Sequence, residues 1–248
     1  MDYIQSPLLL DILKPVVIVT IVLVVMLLIA YFVKKVIKTK NNRPWLIKGS
    51  KNAKNSQVIS QDPRNENSIT LYRSDNESGG SVFSYSFWFV IENMEYKYGE
   101  WKHIFHKGNK TSNPNRAPGV WIHPDKNSIR VYMNTMKNYL DHVDIDNIPI
   151  KRWVCCIIVL NGQYLDIYIN GHLKKRKELD GVAKQNFGDL WVNLYGGYDG
   201  YLSNLRYYRK SLDFGDIQEI VKEGPSKLPS LDTHKYPPYL DDSWWFDI

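Results

Sequence analysis

Residues 152–177 read RWVCCIIVL-NG-QYLDIYI-NG-HLKKRK, three runs rich in β-branched and aromatic residues that two Asn-Gly pairs separate. Asn-Gly favours a type I′ turn, because both central residues of that turn need positive φ. Asn161-Gly162 and Asn170-Gly171 therefore predict two tight hairpins. The three runs then form an antiparallel meander, which indicates a β-rich fold.

The middle run alternates as a half-buried strand does, with Tyr164, Asp166 and Tyr168 on one face and aliphatic residues on the other. The run before it, Trp153–Leu160, is apolar on both faces. A sandwich strand with a solvated outer face alternates with polar residues, so something must cover the second face here. The aromatic residues of the tail or a partner protein are the two candidates.

Further strands are predicted on both sides of this meander, at intervals of roughly ten residues, with Gly-, Asn- and Pro-rich turns between them. They are Ile69–Arg73, Phe83–Ile91, Trp101–Lys107, Gly119–His123, Ser128–Thr135, Tyr139–Asp146, Leu190–Tyr195 and Gly200–Arg209. One helix is predicted at Phe214–Lys222, with Asp213 as its N-cap. The pattern is typical of an all-β antiparallel sandwich or barrel.

Four segments carry a resemblance to a known family. They are YSFWFVI (85–91), WKHIFHKG (101–108), RWVCCIIVLNGQYLDIYINGHL (152–173) and LYGGYDGYLSNLRYYRKSLDFGDIQEI (194–220). Together they resemble the laminin-G-like or concanavalin-A-like jelly roll, with a domain at residues 67–224. The resemblance implies a two-sheet jelly-roll sandwich that binds glycans or proteins. Membrane-anchored versions are similar to minor capsid and membrane-associated proteins of large DNA viruses.

An apolar segment near the N-terminus predicts a membrane anchor. After a lead at residues 1–14, residues 15–33 contain no charged side chain, and the run 16–33 would span roughly 27 Å as a helix. A cleavable signal peptide would have a basic start, a shorter core and a small-residue cleavage site, whereas this lead carries two acidic residues and one lysine. The segment is therefore interpreted as a retained transmembrane helix.

The positive charge of the chain is concentrated just after this helix. Residues 34–54 hold eight Lys and Arg residues and no acid, while the whole chain carries +6. The predicted domain is therefore close to neutral, which argues against nucleic acid as a partner. Residues 34–66 are interpreted as a basic and polar stalk, and Lys34, Lys35, Lys38 and Lys40 are predicted to contact anionic lipid. Because Lys and Arg stay on the cytoplasmic side, the domain is expected to face the cytosol.

The C-terminal tail, residues 225–248, is rich in Pro and aromatic residues and is predicted to pack on the domain or on a partner. Its candidate partner-binding residues are Tyr239, Trp244, Trp245 and Phe246. The two cysteines, Cys155 and Cys156, are neighbours in one strand and point to opposite faces, so a disulfide between them is not expected. That usage fits a reducing compartment.

No catalytic residue is predicted, because the chain lacks the E-x-D-x-x-E pair of carboxylates that related glycosidases use. Asp166 is interpreted as an exposed strand residue. His103 and His106 are three apart, which in a regular strand puts them on opposite faces and argues against a metal pair. His142, Asp144 and Asp146 share one face of their predicted strand, a pattern that fits a cation or an ordinary amphipathic strand.

No cofactor is predicted. Calcium is the one ion considered, with Asp125 and Asp199 as candidate ligands in loops.

These observations predict a membrane-anchored, non-enzymatic binding module. The leading hypothesis is a viral minor capsid protein that tethers an inner membrane to the capsid shell. The alternative is a lectin-like membrane receptor that binds glycans, and an unusual glycosidase is a third. The sequons at Asn76 and Asn109 distinguish the first two, since only a lumenal domain would be glycosylated there.

Overall fold

The structure is a computed structural model, and it describes residues 7–74, 76–77 and 80–228. The tail residues Tyr239, Trp244, Trp245 and Phe246 lie outside the described residues. Residues 1–41 and 42–248 form two compact units.

The first unit is formed by helix α1, Pro7–Asn42, whose last residue is the first residue of the second unit. Its segment Lys14–Lys35 is long and apolar enough to cross a membrane by length and composition, and its side chains are exposed. The helix begins eight residues before Pro15, where the sequence predicted a separate lead. It also continues through the basic residues Lys34 to Lys40, which the sequence assigned to a stalk.

The second unit is a two-sheet sandwich with one helix, α2, at Phe214–Glu223 and one turn of 3₁₀ helix at Leu194–Gly196. Its strands are β1 Trp45–Asn52, β2 Gln57–Ile59, β3 Asn76–Glu77, β4 Gly80–Asn93, β5 Lys102–Gly108, β6 Arg116–Ile122, β7 Ile129–Tyr132, β8 His142–Ile145, β9 Val154–Asn161, β10 Tyr164–Ile169, β11 His172–Glu178, β12 Leu190–Val192 and β13 Asp199–Tyr208.

All strand pairs are antiparallel. The first sheet has the order β1-β13-β4-β9-β10-β11, with β3 paired to β4, and the second has the order β2-β12-β5-β6-β7-β8. Large apolar side chains from both sheets fill the space between them, among them Tyr85, Phe87, Phe89 and Phe105. The predicted jelly-roll sandwich with an apolar N-terminal helix and a short C-terminal helix is therefore confirmed.

The two Asn-Gly hairpins differ in their turns. Asn170 and Gly171 both have positive φ between Ile169 and its partner His172, as a type I′ turn requires. In the first hairpin Asn161 pairs with Tyr164, so the loop is Gly162-Gln163 and only Gly162 has positive φ. That pattern matches a type II′ turn, and the predicted type I′ turn at 161–162 is wrong.

Helix α2 covers the outer face of the first sheet. Ile217 and Ile220 pack against Cys155, Ile157 and Val159 of β9 in a second apolar cluster that is separate from the main core. The predicted N-cap is confirmed, because the Asp213 side chain accepts from the Asp216 backbone N–H at 2.8 Å. The second apolar face of β9 is thus covered by this helix, which corrects the expectation that the tail or a partner would cover it.

The predicted stalk at residues 34–66 is wrong over its second half. Strands β1 and β2 lie at one edge of each sheet, and Leu46, Ile47 and Ile59 are buried in the core. Only Arg43 and Pro44 separate α1 from β1. By contrast, Ile69–Arg73, predicted as a strand, forms none, because Leu71 N–H bonds the Gln61 side chain rather than a neighbouring strand.

At the opposite edge of the sandwich, β8 and β11 are the last strands of their sheets. The ammonium group of Lys177 donates to the carbonyl oxygen of His142 at 2.9 Å, and that of Lys175 donates to the carbonyl of Asp144 at 3.3 Å. Lys177 also pairs with the carboxylate of Asp141. Two lysines of one sheet therefore bond two carbonyls on the edge of the other.

Candidate binding face

The outer face of the second sheet is lined by aromatic rings and arginines that belong to neighbouring strands. Cross-strand pairing places His106 opposite Gly119 and Gly119 opposite Tyr132, and it places Trp121 opposite Arg130 and Arg130 opposite Asp144. We call these side chains and their neighbours the aromatic–arginine face, which comprises Trp101, His103, His106, Arg116, Trp121, Arg130, Tyr132, His142 and Asp144.

A β-bulge brings His103 and His106 to the same side of β5. The register of β5 against β6 shifts between His103 and Phe105. In a regular strand, side chains three residues apart point to opposite faces, and the bulge interrupts this alternation. The His103 Nε2 and His106 Nδ1 atoms lie 2.7 Å apart, and both residues are fully buried. The prediction that the two histidines lie on opposite faces is therefore wrong.

The hydrogen-bond partners fix the tautomers of both histidines. The Leu194 backbone N–H donates to His103 Nδ1 at 2.9 Å, which leaves the His103 proton on Nε2 to donate to His106 Nδ1. His106 Nε2 then donates to the carbonyl oxygen of Asn109 at 2.7 Å. A chain of two neutral imidazoles thus connects the 3₁₀ turn to the loop after β5.

Burial favours the neutral form of both imidazoles. It lowers the pKa of His106 to about 4 and holds the pKa of His103 well below the usual histidine range. The positive charge of Arg116 further lowers the pKa of His106. Within the described residues no group of three or more His, Cys, Asp or Glu side chains could hold a metal ion.

Trp121 is the centre of the face, and Gly119 makes room for it. A Cβ atom at Gly119 would lie 2.4 Å from Trp121 Cζ3, which is far inside van der Waals contact. The indole stacks on the His106 ring at 5.6 Å between centroids, and it makes edge-to-face contacts with His103 at 4.9 Å and with Tyr132 at 5.4 Å. Trp121 is therefore held by three rings.

Two arginines complete the face. The guanidinium of Arg116 lies 3.5 Å from the centroid of the Tyr132 ring, and that of Arg130 lies 4.8 Å from the Trp101 ring. Arg130 also makes two hydrogen bonds to the Asp144 carboxylate, at 2.6 and 2.7 Å. These bonds lower the pKa of Asp144 and raise that of Arg130, so both groups stay charged at neutral pH.

The candidate carboxylates from the sequence are each paired with a basic side chain. Asp166, predicted to be exposed, is buried in β10 beneath Arg176, whose Nε and Nη2 atoms donate to it at 2.7 Å. The calcium candidates pair separately, Asp125 with His123 at 2.7 Å and Asp199 with Lys54 at 2.9 Å. The structure does not bring these two carboxylates into one cluster of the described residues.

A groove of about 470 Å³ lies beside the aromatic–arginine face, between the edges of β8 and β11. Its lining alternates in charge, with His142, Asp144, Lys175, Lys177 and Glu178 among its side chains. Because Lys175 and Lys177 already bond β8 carbonyls, their charge is partly satisfied within the domain.

A family model for the concanavalin A-like lectin/glucanases superfamily matches residues 63–218. The chain belongs to this superfamily. The match covers every strand of the superfamily domain here except β1 and β2, and it includes the whole aromatic–arginine face. No curated protein matches the chain.

Solved structures with a similar fold include two structures from botulinum neurotoxin D. The receptor binding domain is 15% identical with a TM-score of 0.53, over 74% of this chain and 53% of that one. The ligand binding domain of serotype D, solved in complex with N-acetylneuraminic acid, is 18% identical with a TM-score of 0.52, over 74% of this chain and 51% of that one. At these identities the likeness concerns the fold, and the chain spans about half the length of these neurotoxin domains.

Sequence reasoning missed most of the aromatic–arginine face of this superfamily member. The sequence pattern could have predicted part of it. Gly119 and Trp121 occupy alternate positions of one strand, and Arg130 and Tyr132 occupy alternate positions of the next, so each pair shares the outward face. The histidine chain had no such signal, since its geometry depends on a bulge.

Proposed function

We propose that the chain is a membrane-anchored, non-enzymatic binding module whose partner docks on the aromatic–arginine face. The observation that carries this is the contrast between the two outer faces of the sandwich. Helix α2 packs on the first, whereas the second presents half-buried Arg130, Tyr132 and Asp144 beside the exposed Trp101. Aromatic and arginine side chains are the residue types that most often dominate binding energy at interfaces.

The segment Lys14–Lys35 supports the anchor, because its length and composition suit a bilayer. Lys34 and Lys35 end this segment, Lys38 and Lys40 follow it on the same helix, and all four are proposed to lie at an anionic lipid surface. The excess of Lys and Arg on this side supports a cytosolic domain with the N-terminus across the membrane.

The specific role that we propose is that of a minor capsid protein, which holds the inner membrane of a large DNA virus to its shell. Two features support it. The cytosolic side of a membrane taken from the host becomes the side that faces the shell, and only Arg43 and Pro44 link α1 to β1. A short link suits a fixed spacer better than a receptor that must search for ligands.

Glycan binding is the second candidate. The ring of Trp101 is exposed, and Arg130 beside it is a donor for sugar hydroxyls or a sugar carboxylate. The neurotoxin domain solved with N-acetylneuraminic acid has the same type of sandwich, which supports testing acidic sugars first.

The proposal excludes hydrolysis as the activity of this face. Retaining hydrolysis needs an acid and a nucleophile about 5 Å apart. On the aromatic–arginine face the carboxylate is that of Asp144, and two hydrogen bonds from Arg130 keep it ionised. An ionised carboxylate of low pKa is a poor general acid.

The first test concerns anchoring and orientation. The full chain, expressed with microsomes, is expected to resist extraction at alkaline pH, to be digested by added protease, and to carry no glycan at Asn76 or Asn109. A protected and glycosylated domain would place it in the lumen and would favour the glycan receptor.

The second test concerns the face. Arg130→Met is expected to reduce cross-linking of the membrane-bound chain to its protein partner at least tenfold, as detected by mass spectrometry of native particles or membranes. Lys174→Met, which removes one positive charge from an exposed position of β11, is the matched control. Equal cross-linking in both variants contradicts the assignment of the face. Loss of binding to sialylated glycans in Arg130→Met, but not in Lys174→Met, would support the second candidate.

A further inference from the structure

We propose that one rim of the sandwich lies on the membrane surface and inserts aromatic side chains among anionic lipid headgroups. This rests on the proposed anchoring and adds to it a contact made by the domain itself. We call this surface the proximal rim, and its central residues are Arg43, Tyr72, Arg73, Phe187, Arg206 and Arg209.

The proximal rim is the end of the sandwich where the chain from α1 enters. Strand β1 begins there at Trp45, and the last strand β13 ends beside it. The backbone N–H of Arg209 donates to the carbonyl of Asn42 at 2.8 Å, and that of Tyr207 donates to the carbonyl of Pro44 at 3.2 Å. The first residues of the domain are therefore fixed to this rim by hydrogen bonds.

Arginine and aromatic side chains alternate across the rim. Arg206 lies over the Trp45 ring at 4.2 Å and donates to the carbonyl of Arg43 at 3.1 Å. Arg209 donates to the carbonyl of Arg73 at 2.6 Å, and the Arg73 guanidinium lies 5.2 Å from the ring of Phe187. These contacts link Arg206 to Arg43 and Arg209 to Arg73, so the rim carries two pairs of arginines.

The rim also exposes apolar side chains that the fold does not use. Phe187 is 76% exposed, although Phe is among the residues most often buried. Met136, at 72%, extends the same rim, because the Met136 N–H donates to Val182 at 2.9 Å and so ties the β7–β8 loop to the loop that carries Phe187. Tyr72, Tyr139 and Leu140 are exposed in adjoining loops.

Lipid is the partner that fits this combination best. Aromatic rings with apolar bodies and arginines with long stems are enriched at the level of the headgroups, where rings insert and guanidinium groups bind phosphate. The point of entry supports this choice, because Asn42, which is bonded to the rim, follows Val33 by nine helical positions, or about 13 Å along α1. The headgroup layer on each side of a bilayer is roughly 5–8 Å thick, so side chains that project from the rim towards the bilayer have only about 5–8 Å left to cover.

The opposite rim offers a matched control. Tyr98 lies in the β4–β5 loop at the other end of the strands and is 63% exposed, so it resembles Phe187 in exposure and differs in position.

The native cysteines do not interfere with labelling. Cys155 and Cys156 are buried, and burial raises the pKa of Cys155 to about 12, so a thiol-reactive dye labels neither in the folded chain.

The experiment uses the full chain reconstituted in vesicles of phosphatidylcholine and phosphatidylserine. Phe187→Cys, Met136→Cys and Tyr98→Cys each receive one fluorescent label, and quenching by nitroxide-bearing lipids is measured. We expect quenching at 187 and 136 to exceed that at 98 by threefold or more. Phosphatidylcholine vesicles without the anionic lipid should reduce the difference, and Arg73→Gln should do the same.

The outcomes separate this inference from the anchoring. A chain that resists alkaline extraction but shows equal quenching at 187 and 98 overturns the docking of the rim and leaves the anchor intact. A chain that is extracted from the vesicles overturns both. A label at 187 that is shielded from aqueous quencher in native membranes, yet not quenched by nitroxide lipids, shows that protein covers the rim and also overturns the inference.

Discussion

The two outer faces of the sandwich are closed in different ways. On the first sheet, Ile217 and Ile220 of α2 seal the apolar side of β9. On the second, Trp121 is enclosed by His106, Tyr132 and the guanidinium of Arg116. A face closed by a helix contributes to stability and is withdrawn from binding. The second face has no covering helix, and Tyr132, Arg130 and Asp144 remain half-exposed on it, so these side chains stay accessible to a partner.

Two Arg–Asp pairs, one on each sheet, also differ in how far they are exposed to solvent. Arg130 with Asp144 and Arg176 with Asp166 have nearly the same two-bond geometry. Their carboxylates differ, because the Asp144 side chain is 35% exposed and the Asp166 side chain 8%. Removal of the arginine should therefore have unequal consequences.

The largest expected effect is on the covered face. Ile217→Ala removes a side chain that is 1% exposed, and large-to-small changes of this kind cost about 2–5 kcal/mol because they leave a cavity. We expect a loss of about 3 kcal/mol in the free energy of unfolding, measured by denaturant titration of the chain in detergent. Glu219→Ala, on the exposed side of the same helix, should change it by less than about 0.5 kcal/mol. Similar losses in both would show that α2 does not stabilise the sheet by burial.

The next effect is a loss of stability in acid that originates on the aromatic–arginine face. Because the folded-state pKa of His106 is lowered to about 4, its contribution is complete above the unfolded pKa of about 6.5 and is lost as the pH falls from 6.5 towards 4. Proton linkage for His106 alone corresponds to about 3 kcal/mol over that interval, since one pKa unit is about 1.4 kcal/mol.

The measurement is the denaturation midpoint between pH 7 and pH 4. His106→Gln keeps a donor for Asn109 and removes the titration, so its profile should be flatter than that of the original chain. His172→Gln replaces an exposed histidine in β11 and is the matched control for the substitution itself. Parallel profiles for the original chain and His106→Gln would contradict the neutral histidine chain.

A smaller loss is expected when the buried carboxylate loses its partner. Arg176→Met removes both hydrogen bonds that Arg176 donates to the buried carboxyl group of Asp166, at a cost of about 2 kcal/mol, because a buried acceptor is left unsatisfied. The double variant with Asp166→Asn should recover about half of that loss in thermal unfolding. Absence of any recovery would mean that Arg176 acts through packing alone.

The smallest effect on stability is expected for Arg130→Met. Asp144 can be solvated when the arginine is removed, so the loss should stay below about 1 kcal/mol, the usual range for exposed ion pairs. Binding to the partner should nevertheless fall, as proposed above. Arg130 would then contribute mainly to binding, whereas Arg176 contributes mainly to stability. A loss of 2 kcal/mol or more would remove the distinction between the two pairs.

The meander and α2 could be predicted from the sequence because their signals are local. Asn170-Gly171 needs positive φ at both residues, and Asp213 supplies an N-cap before an apolar stripe. The superfamily fold followed from the same segments. The edge strand β1 was missed because its pairing with β13 contains two register shifts, which disturb the alternation that reveals a strand.

The candidate site could be predicted from the sequence less well than the fold. The bulge at His103–Phe105 depends on how β5 pairs with β6, and no local pattern encodes it. Asp166 was expected to be exposed because its neighbours Tyr164 and Tyr168 face outward, yet the side chain of Arg176 from the next strand covers it. In both positions the long-range partner, rather than the residue itself, determines the environment.

The hydrogen bonds from Lys175 and Lys177 of β11 to carbonyls of β8 affect how copies of the chain can meet at this edge. Edge strands with bare carbonyl and amide groups pair with one another and seed aggregates. If the chain is anchored as proposed, its copies diffuse in two dimensions, where encounters between identical edges are frequent. Lys175 and Lys177 occupy the carbonyls of Asp144 and His142 and place positive charge beside them, so an approaching copy meets repulsion and few vacant acceptors. Crowded copies can therefore stand side by side without fusing their sheets.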